Sequence, residues 1–224
     1  MIGTLVNALA VVAGSAAGLA LKRRIPEEKG DVVFTAVGLF TLYLGVSMAL
    51  EAKSPVSLIL GLLVGTLVGE AIGLEDALEW LAEGLRERVG GGSRFVEGMM
   101  VAFLTYCVGP MTVVGSLRDG MGDPSIILAK SVMDGFVSVA YAAAMGVGVA
   151  FSAIPLLAFQ GSLAALGALA GASLPERAVA DMTAAGGLIL LGLGINLLKL
   201  RRIRVGNMLP ALAAVPLISY FLAI

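Results

Sequence analysis

Few residues of this chain could do chemistry, and most of them fall between Thr105 and Gly135, in TYCVGPMTVVGSLRDGMGDPSIILAKSVMDG. Lys130 and Asp134 stand four apart, which on a helix puts an ammonium and a carboxylate on one face, with Ser131 beside them. Upstream lie Thr112, Ser116, Arg118 and Asp119, all following the step Gly109-Pro110. Gly-Pro stops a helix from running straight, because proline lacks an N–H and its ring clashes with the preceding turn. Apolar runs long enough to cross a bilayer flank the stretch on both sides. Charges at membrane depth are costly and are normally paired or face a cavity. A broken segment followed by embedded charges is therefore where an ion, a proton or a small solute would bind.

Each of these groups also has a purely structural role open to it. Lys130 and Asp134 are either an ion pair that locks their helix or a cation or proton site built on Asp134. With that helix starting near Ser125, Asp134 lies roughly 14 Å along it, near mid-bilayer, while Lys130 is shallower and can snorkel. Arg118 and Asp119 are either a solvated loop pair or, for Arg118, one half of an anion site completed by the free N–H groups of the following helix. Asp123 serves as that helix's cap, with Pro124 at its first position. Asn7, Thr41, Ser47, Glu70, Gln160, Asn196 and Asn207 are further polar residues in or at the ends of apolar runs. They make interhelical hydrogen bonds or contribute to a central site. Pro210 and Pro216 should bend the last run and leave carbonyls free near Asn207.

Composition narrows the chemistry further. Hydrophobic residues make up 58% of the 224 and charged residues 14%, with a mean hydropathy of +0.98. Soluble domains average about 45–50% apolar and about 25% charged, so the chain reads as a polytopic membrane protein. Histidine is absent, which removes histidine-based metal sites, triad bases and proton relays. Cys107 is the single cysteine and reads as a small hydrophobe inside a helix, with no disulfide or thiolate cluster available to it. There is no nucleophile–base set, metal cluster or phosphate loop, so neither an enzyme nor a cofactor is expected. No basic block of the kind nucleic acid requires is present.

The elements that must position these groups follow from hydropathy. A span needs about 20 apolar residues, and eight candidates appear: Gly3–Leu21, Val32–Leu50, Pro55–Leu74, Phe95–Val114, Ser125–Phe151, Ala153–Ser173, Met182–Leu198 and Val205–Ile224. Met1–Leu21 carries its positive charges after the apolar run, the reverse of a secretory signal, and reads as a retained first span. Glu75–Val89 repeats Ala77, Leu78, Leu81 and Leu85 at helical spacing with Trp80 beside them. It is predicted as a helix lying in the interface or, more blandly, as a solvated connector. Lys22, Arg23, Arg24 and Lys29, then Arg86, Arg88 and Arg94, then Lys199, Arg201, Arg202 and Arg204 fall on one side of an eight-span chain. Lys53, Arg118 and Arg177 fall on the other, so both termini are expected outside.

Ile25-Pro26-Glu27-Glu28 is echoed by Leu174-Pro175-Glu176-Arg177. At the same offset Ala36-Val37-Gly38-Leu39 meets Ala185-Gly186-Gly187-Leu188, and Leu44–Met48 meets Leu193–Leu197. Ser47 and Asn196 are then equivalent. In the eight-span topology the first proline–glutamate loop is cytoplasmic and its echo at Pro175-Glu176 external, so the copies would cross the membrane in opposite senses, as in secondary transporters that bind at the repeat interface on broken helices. The organisation read from the sequence is one all-α membrane domain, 1–224. It comprises a first repeat (1–74), an interfacial helix and linker (75–94), two central spans with a helix break (95–152) and a second, inverted repeat (153–224).

The central GPMTVVGSLRDGMGDPS, the AKSVMDG that follows, the early GTLVNALAVVAG and the late GNMLPAL resemble a prokaryotic membrane-protein family, domain-of-unknown-function family 554. The matching positions are Gly109, Gly115, Asp119, Gly120, Asp123, Pro124, Ser125, Lys130, Ser131 and Asp134. The resemblance implies a multi-spanning integral protein and brings no binding residues with it. The expectation is a secondary transporter of a monovalent cation, proton or small solute in the inner membrane. A channel or a non-transporting scaffold or stress protein remains the alternative, and a homo-oligomer is compatible with either.

Overall fold

A computed structural model describes residues 1–22, 30–170 and 175–222, and among them every regular element is helical. The first proline–glutamate echo, with Arg23, Arg24 and Lys29, lies outside the described residues, as does Leu174 of the second. The α-helices are α1 (Ile2–Lys22), α2 (Gly30–Ala49), α3 (Pro55–Ile72), α4 (Leu74–Val89), α5 (Phe95–Cys107), α6 (Pro110–Gly120), α7 (Ser125–Met145), α8 (Gly148–Phe151), α9 (Ala153–Ala170), α10 (Glu176–Leu197) and α11 (Ala211–Leu222), with a 3-10 turn at Val205–Met208. Among the described residues six helical segments are long and apolar enough to span a membrane: Ile2–Leu21, Pro55–Ile72, Ser125–Met145, Gly148–Leu169, Glu176–Leu197 and Val205–Leu222. The pair Phe95–Cys107 and Met111–Gly120, bent by 70°, makes a seventh if taken as one broken span. The apolar stretch Thr35–Ala49 is shorter.

Three expected boundaries move, each for a local reason. The fifth run does not continue to Phe151: α7 stops at Met145 because Gly146 adopts φ 93° and ψ −158°, a conformation open mainly to glycine. Gly148–Phe151 then leads into α9. The seventh run begins six residues earlier than hydropathy placed it, at Glu176, so Arg177 and Asp181 are inside the helix. At the start of α7, Pro124 stands just before the first helical residue rather than at it.

The chain forms two compact units, Met1–Phe34 with Leu78–Cys107 and Met111–Ala172, and Thr35–Ala77 with Val108–Pro110 and Ser173–Ile224. In the first unit α1 lies on α7. A Cβ at Gly14 would come within 2.1 Å of the Gly135 carbonyl oxygen, and one at Gly18 within 2.2 Å of that of Val139. Small residues thus let the two backbones touch, the packing that substitutes for hydrophobic collapse in lipid. α6 meets α9 in the same way, Gly120 against the Ala164 carbonyl and Gly167 against that of Leu117. α4 turns Ala82 inward onto Phe95 and Met99, with Leu81, Leu85 and Phe151 around them, while Trp80 is 78% exposed.

The second unit is built on α3, α10 and α11. α3 follows the proline-first, glycine-last pattern of a well-capped helix. Ser54 caps it, Pro55 opens it, and Gly73 at φ 62° closes it by donating to the Glu70 carbonyl. Gly61 and Gly65 face Val215 and Ala211 of α11, and Gly69 faces the Asn207 carbonyl, all too closely to admit a side chain.

Candidate functional site

The first unit carries the buried Lys130–Asp134 pair. α7 starts at Ser125, whose N–H and hydroxyl both donate to the Asp123 carboxylate, at 3.1 and 2.6 Å. These bonds hold the Asp123 carboxyl below the usual range. One and a half turns on, Lys130 Nζ donates to both oxygens of Asp134, at 2.7 and 2.5 Å. The two residues are each 6% exposed, so the pair is bidentate and nearly dry.

Three other helices complete its surroundings. Asn7 of α1 donates from Nδ2 to Asp134 Oδ2 at 3.0 Å and to Gln160 Oε1 of α9 at 3.3 Å. Both amides are wholly buried, yet Asn7 Oδ1 and Gln160 Nε2 have no hydrogen-bond partner. α5 supplies Tyr106, whose ring centroid lies 5.9 Å from Lys130 Nζ and whose hydroxyl is 2.6 Å from Ser138 Oγ. Ser138 in turn donates to the Asp134 carbonyl at 2.7 Å. Burying polar groups is favourable only when they are bonded. One free acceptor and one free donor near an ion pair therefore leave hydrogen-bonding capacity unused at this site.

The other sequence-selected residues divide. Ser131 spends its hydroxyl on the Ile127 carbonyl at 2.7 Å, and Thr112 bonds the Tyr106 carbonyl at 2.5 Å, satisfying a group freed at the helix break. Ser116 is buried with its hydroxyl unpartnered. Gly109 has open space where a Cβ would stand, and α6 starts at Pro110.

Arg118 and Asp119 are not a solvated pair. Arg118 points outward, 3.7 Å from Asp123. Asp119 is buried and takes the Gly3 N–H on Oδ1, at 3.0 Å, and the N–H and hydroxyl of Thr4 on Oδ2, both at 2.9 Å. It thus serves the first turn of α1, whose donors have no intrahelical acceptor. Asp123 already holds the first N–H of α7, so that N–H is not free to complete an anion site with Arg118.

Ser47, Asn196 and Asn207 belong to the second unit. Ser47 is exposed on α2, whereas Asn196 clamps the Ile203 backbone through two bonds of 2.7 Å. Asn207 takes the Glu75 N–H on Oδ1 at 2.7 Å and donates to Glu70 Oε2 at 2.5 Å. Glu75 accepts the Gly206 N–H at 2.8 Å, and Arg204 bridges Glu70, at 2.8 Å, and Asp76. The Asp76 bond and charge push the Arg204 guanidinium above its ordinary value. The carbonyls of Gly206, Leu209 and Pro210 all accept backbone bonds, so the expected free carbonyls near Asn207 are in use.

Sequence reasoning missed Tyr106, Ser138 and Asp181. Ser138 was signalled by its spacing of four from Asp134. Asp181 immediately precedes the apolar run that begins at Met182. It is wholly buried and accepts the N–H groups of Lys53 and Ser54 at 2.7 and 2.8 Å and the Ser219 hydroxyl at 2.6 Å.

Comparison with known proteins agrees with this membrane character. The Bacillus subtilis (strain 168) "Uncharacterized membrane protein YdfK" is 27% identical over 225 residues, covering 98% of this chain and 96% of the relative. The Escherichia coli (strain K12) "Uncharacterized protein YqgA" is 32% identical over 226 residues, covering 97% and 96%. No solved structure matches. Residues 2–220 match the family described as "Protein of unknown function (DUF554)", and the chain belongs to that family.

Proposed function

We propose that this protein is a secondary transporter of an ion or small solute, and not an enzyme, with its site on Lys130, Asp134, Asn7 and Gln160. It would cross the prokaryotic inner membrane eight times, with both termini outside and an inverted-topology repeat relating spans one to three to spans six to eight. α2 and the broken pair α5–α6 are counted as the two spans beyond the six of full length.

The observation that carries the reading is the pair Lys130–Asp134 on a span-length helix, bonded to buried Asn7 and through it to buried Gln160, amides that each keep one polar atom unbonded. An ionised residue at the bilayer centre costs about 2.5–3.5 kcal/mol on insertion scales. A pair that served stability alone gains little from leaving neighbouring amides half satisfied. Ser116, also buried and unbonded, stands on the helix after the break. Broken helices and buried polar groups are the usual equipment of transport sites.

Purified protein in liposomes under an imposed proton or sodium gradient should drive saturable uptake from a panel of labelled small solutes. Asp134→Asn, which keeps volume and removes charge, should abolish it while insertion and folding persist. If Asp134→Asn transports like the parent but melts lower in detergent, the pair is structural and the reading fails; uptake that never saturates would indicate a channel. Cysteine at Lys53 should label from outside and cysteine at Arg202 only after permeabilisation.

A further inference from the structure

We propose that the Lys130–Asp134 site accepts a small zwitterion, a molecule with a primary ammonium and a carboxylate one carbon apart. The ammonium would sit on Asp134 and Asn7, and the carboxylate on Lys130 and Gln160. This rests on the transport reading and specifies its substrate class.

The argument is one of matching signs. The pair is internally neutral and nearly dry, so an occupant carrying a single charge would leave a net charge in a desolvated place. The two unbonded amide atoms are one acceptor, Asn7 Oδ1, and one donor, Gln160 Nε2. A metal cation uses acceptors only and leaves Gln160 Nε2 stranded; a simple anion does the reverse to Asn7 Oδ1. A zwitterion uses both, its ammonium donating to the free acceptor Asn7 Oδ1 and its carboxylate accepting from the free donor Gln160 Nε2. The amide orientations are fixed by the network itself, because turning Asn7 over would set its oxygen against both Asp134 Oδ2 and Gln160 Oε1. Lys130 can leave Asp134 without losing all support, since its stem is flexible and the Tyr106 ring offers a cation–π face 5.9 Å from Nζ. The incoming ammonium takes the place of Lys130 on Asp134 while Lys130 turns to the incoming carboxylate. No bond is made or broken.

The test is equilibrium binding of labelled glycine and alanine to the purified full chain in detergent, with methylammonium, acetate and sodium chloride as competitors. Saturable binding is expected, resistant to each single-charge competitor at equal concentration and lost in Asp134→Asn. Gln160→Leu should weaken it about tenfold, the effect of one lost hydrogen bond. Gln160→Glu, which keeps the shape but replaces the donor with a charge facing the carboxylate, should weaken it more and guards against a folding failure of the first variant. Displacement by methylammonium as effective as by glycine would overturn the inference, because only Asp134 would then be read. Saturable sodium binding or Asp134-dependent flux without zwitterion binding would also overturn it, yet leave the transport reading standing. Absence of both would sink the two together.

Discussion

The α1–α7 pair of the first unit and the α3–α11 pair of the second are assembled by the same devices and differ in one respect. In each, a glycine-lined helix lies against its partner's backbone, through Gly14 and Gly18 in one and Gly61, Gly65 and Gly69 in the other. In each, a buried aspartate from a third helix takes the N–H groups at the glycine helix's start: Asp119 for Gly3 and Thr4, Asp181 for Lys53 and Ser54. The polar residues of the second pair are then used up. Asn207 bonds through both amide atoms, and Ser219 bonds Asp181. The first pair instead holds an ion pair and amides with capacity left over. A clamp needs every polar group satisfied, whereas a binding site must keep some for its ligand.

Four perturbations would break or sharpen that contrast. The largest effect is expected when Asp134→Asn and Asp181→Asn are compared in liposomes. The first should reduce flux to the level of empty vesicles with the melting temperature held, and the second should lower the melting temperature while flux per folded molecule persists. A reversal would exchange the roles of the two units. Next, Lys130→Met strands a buried carboxylate and should cost about 3–5 kcal/mol, seen as a fall in the denaturation midpoint. Asp119→Ala leaves two N–H groups and a hydroxyl unbonded at the start of α1 and should cost about 2–3 kcal/mol by the same measurement. If it is silent, the first unit lacks the clamp that the second has.

The smallest effect concerns pH. The carboxyl of Asp123 is held below its usual range by Ser125, so its support for the start of α7 is complete above the unfolded value of about 4. It is lost as pH falls through the lower folded value. Because the pair is solvent-exposed, a melting curve of Asp123→Asn should differ only slightly from the parent at neutral pH and converge with it in acid. Convergence at neutral pH would show that Asp123 does not support α7.

Much of this was legible in the chain because it follows from local rules. Apolar length fixed where spans could lie, since backbone in lipid must bond to itself. Gly109-Pro110 marked the break between α5 and α6 because proline cannot donate, and the spacing of four put Lys130 and Asp134 on one face. What the sequence could not decide was which polar residue meets which. Asp119 looked like a solvated loop residue and is buried against the start of α1, 115 and 116 positions away in sequence. Asp181 fell just outside an apolar run, and the helix extends back to include it. Asn7 and Gln160 were visible only as polar residues in spans, yet Asn7 donates to the Asp134 carboxylate and to Gln160 across sequence separations of 127 and 153. Hydropathy and periodicity depend on residues within a turn or two and are written along the chain. The partner of a buried polar group depends on which helix face arrives beside it, and packing decides that through glycines whose sequence spacing looks the same wherever they point.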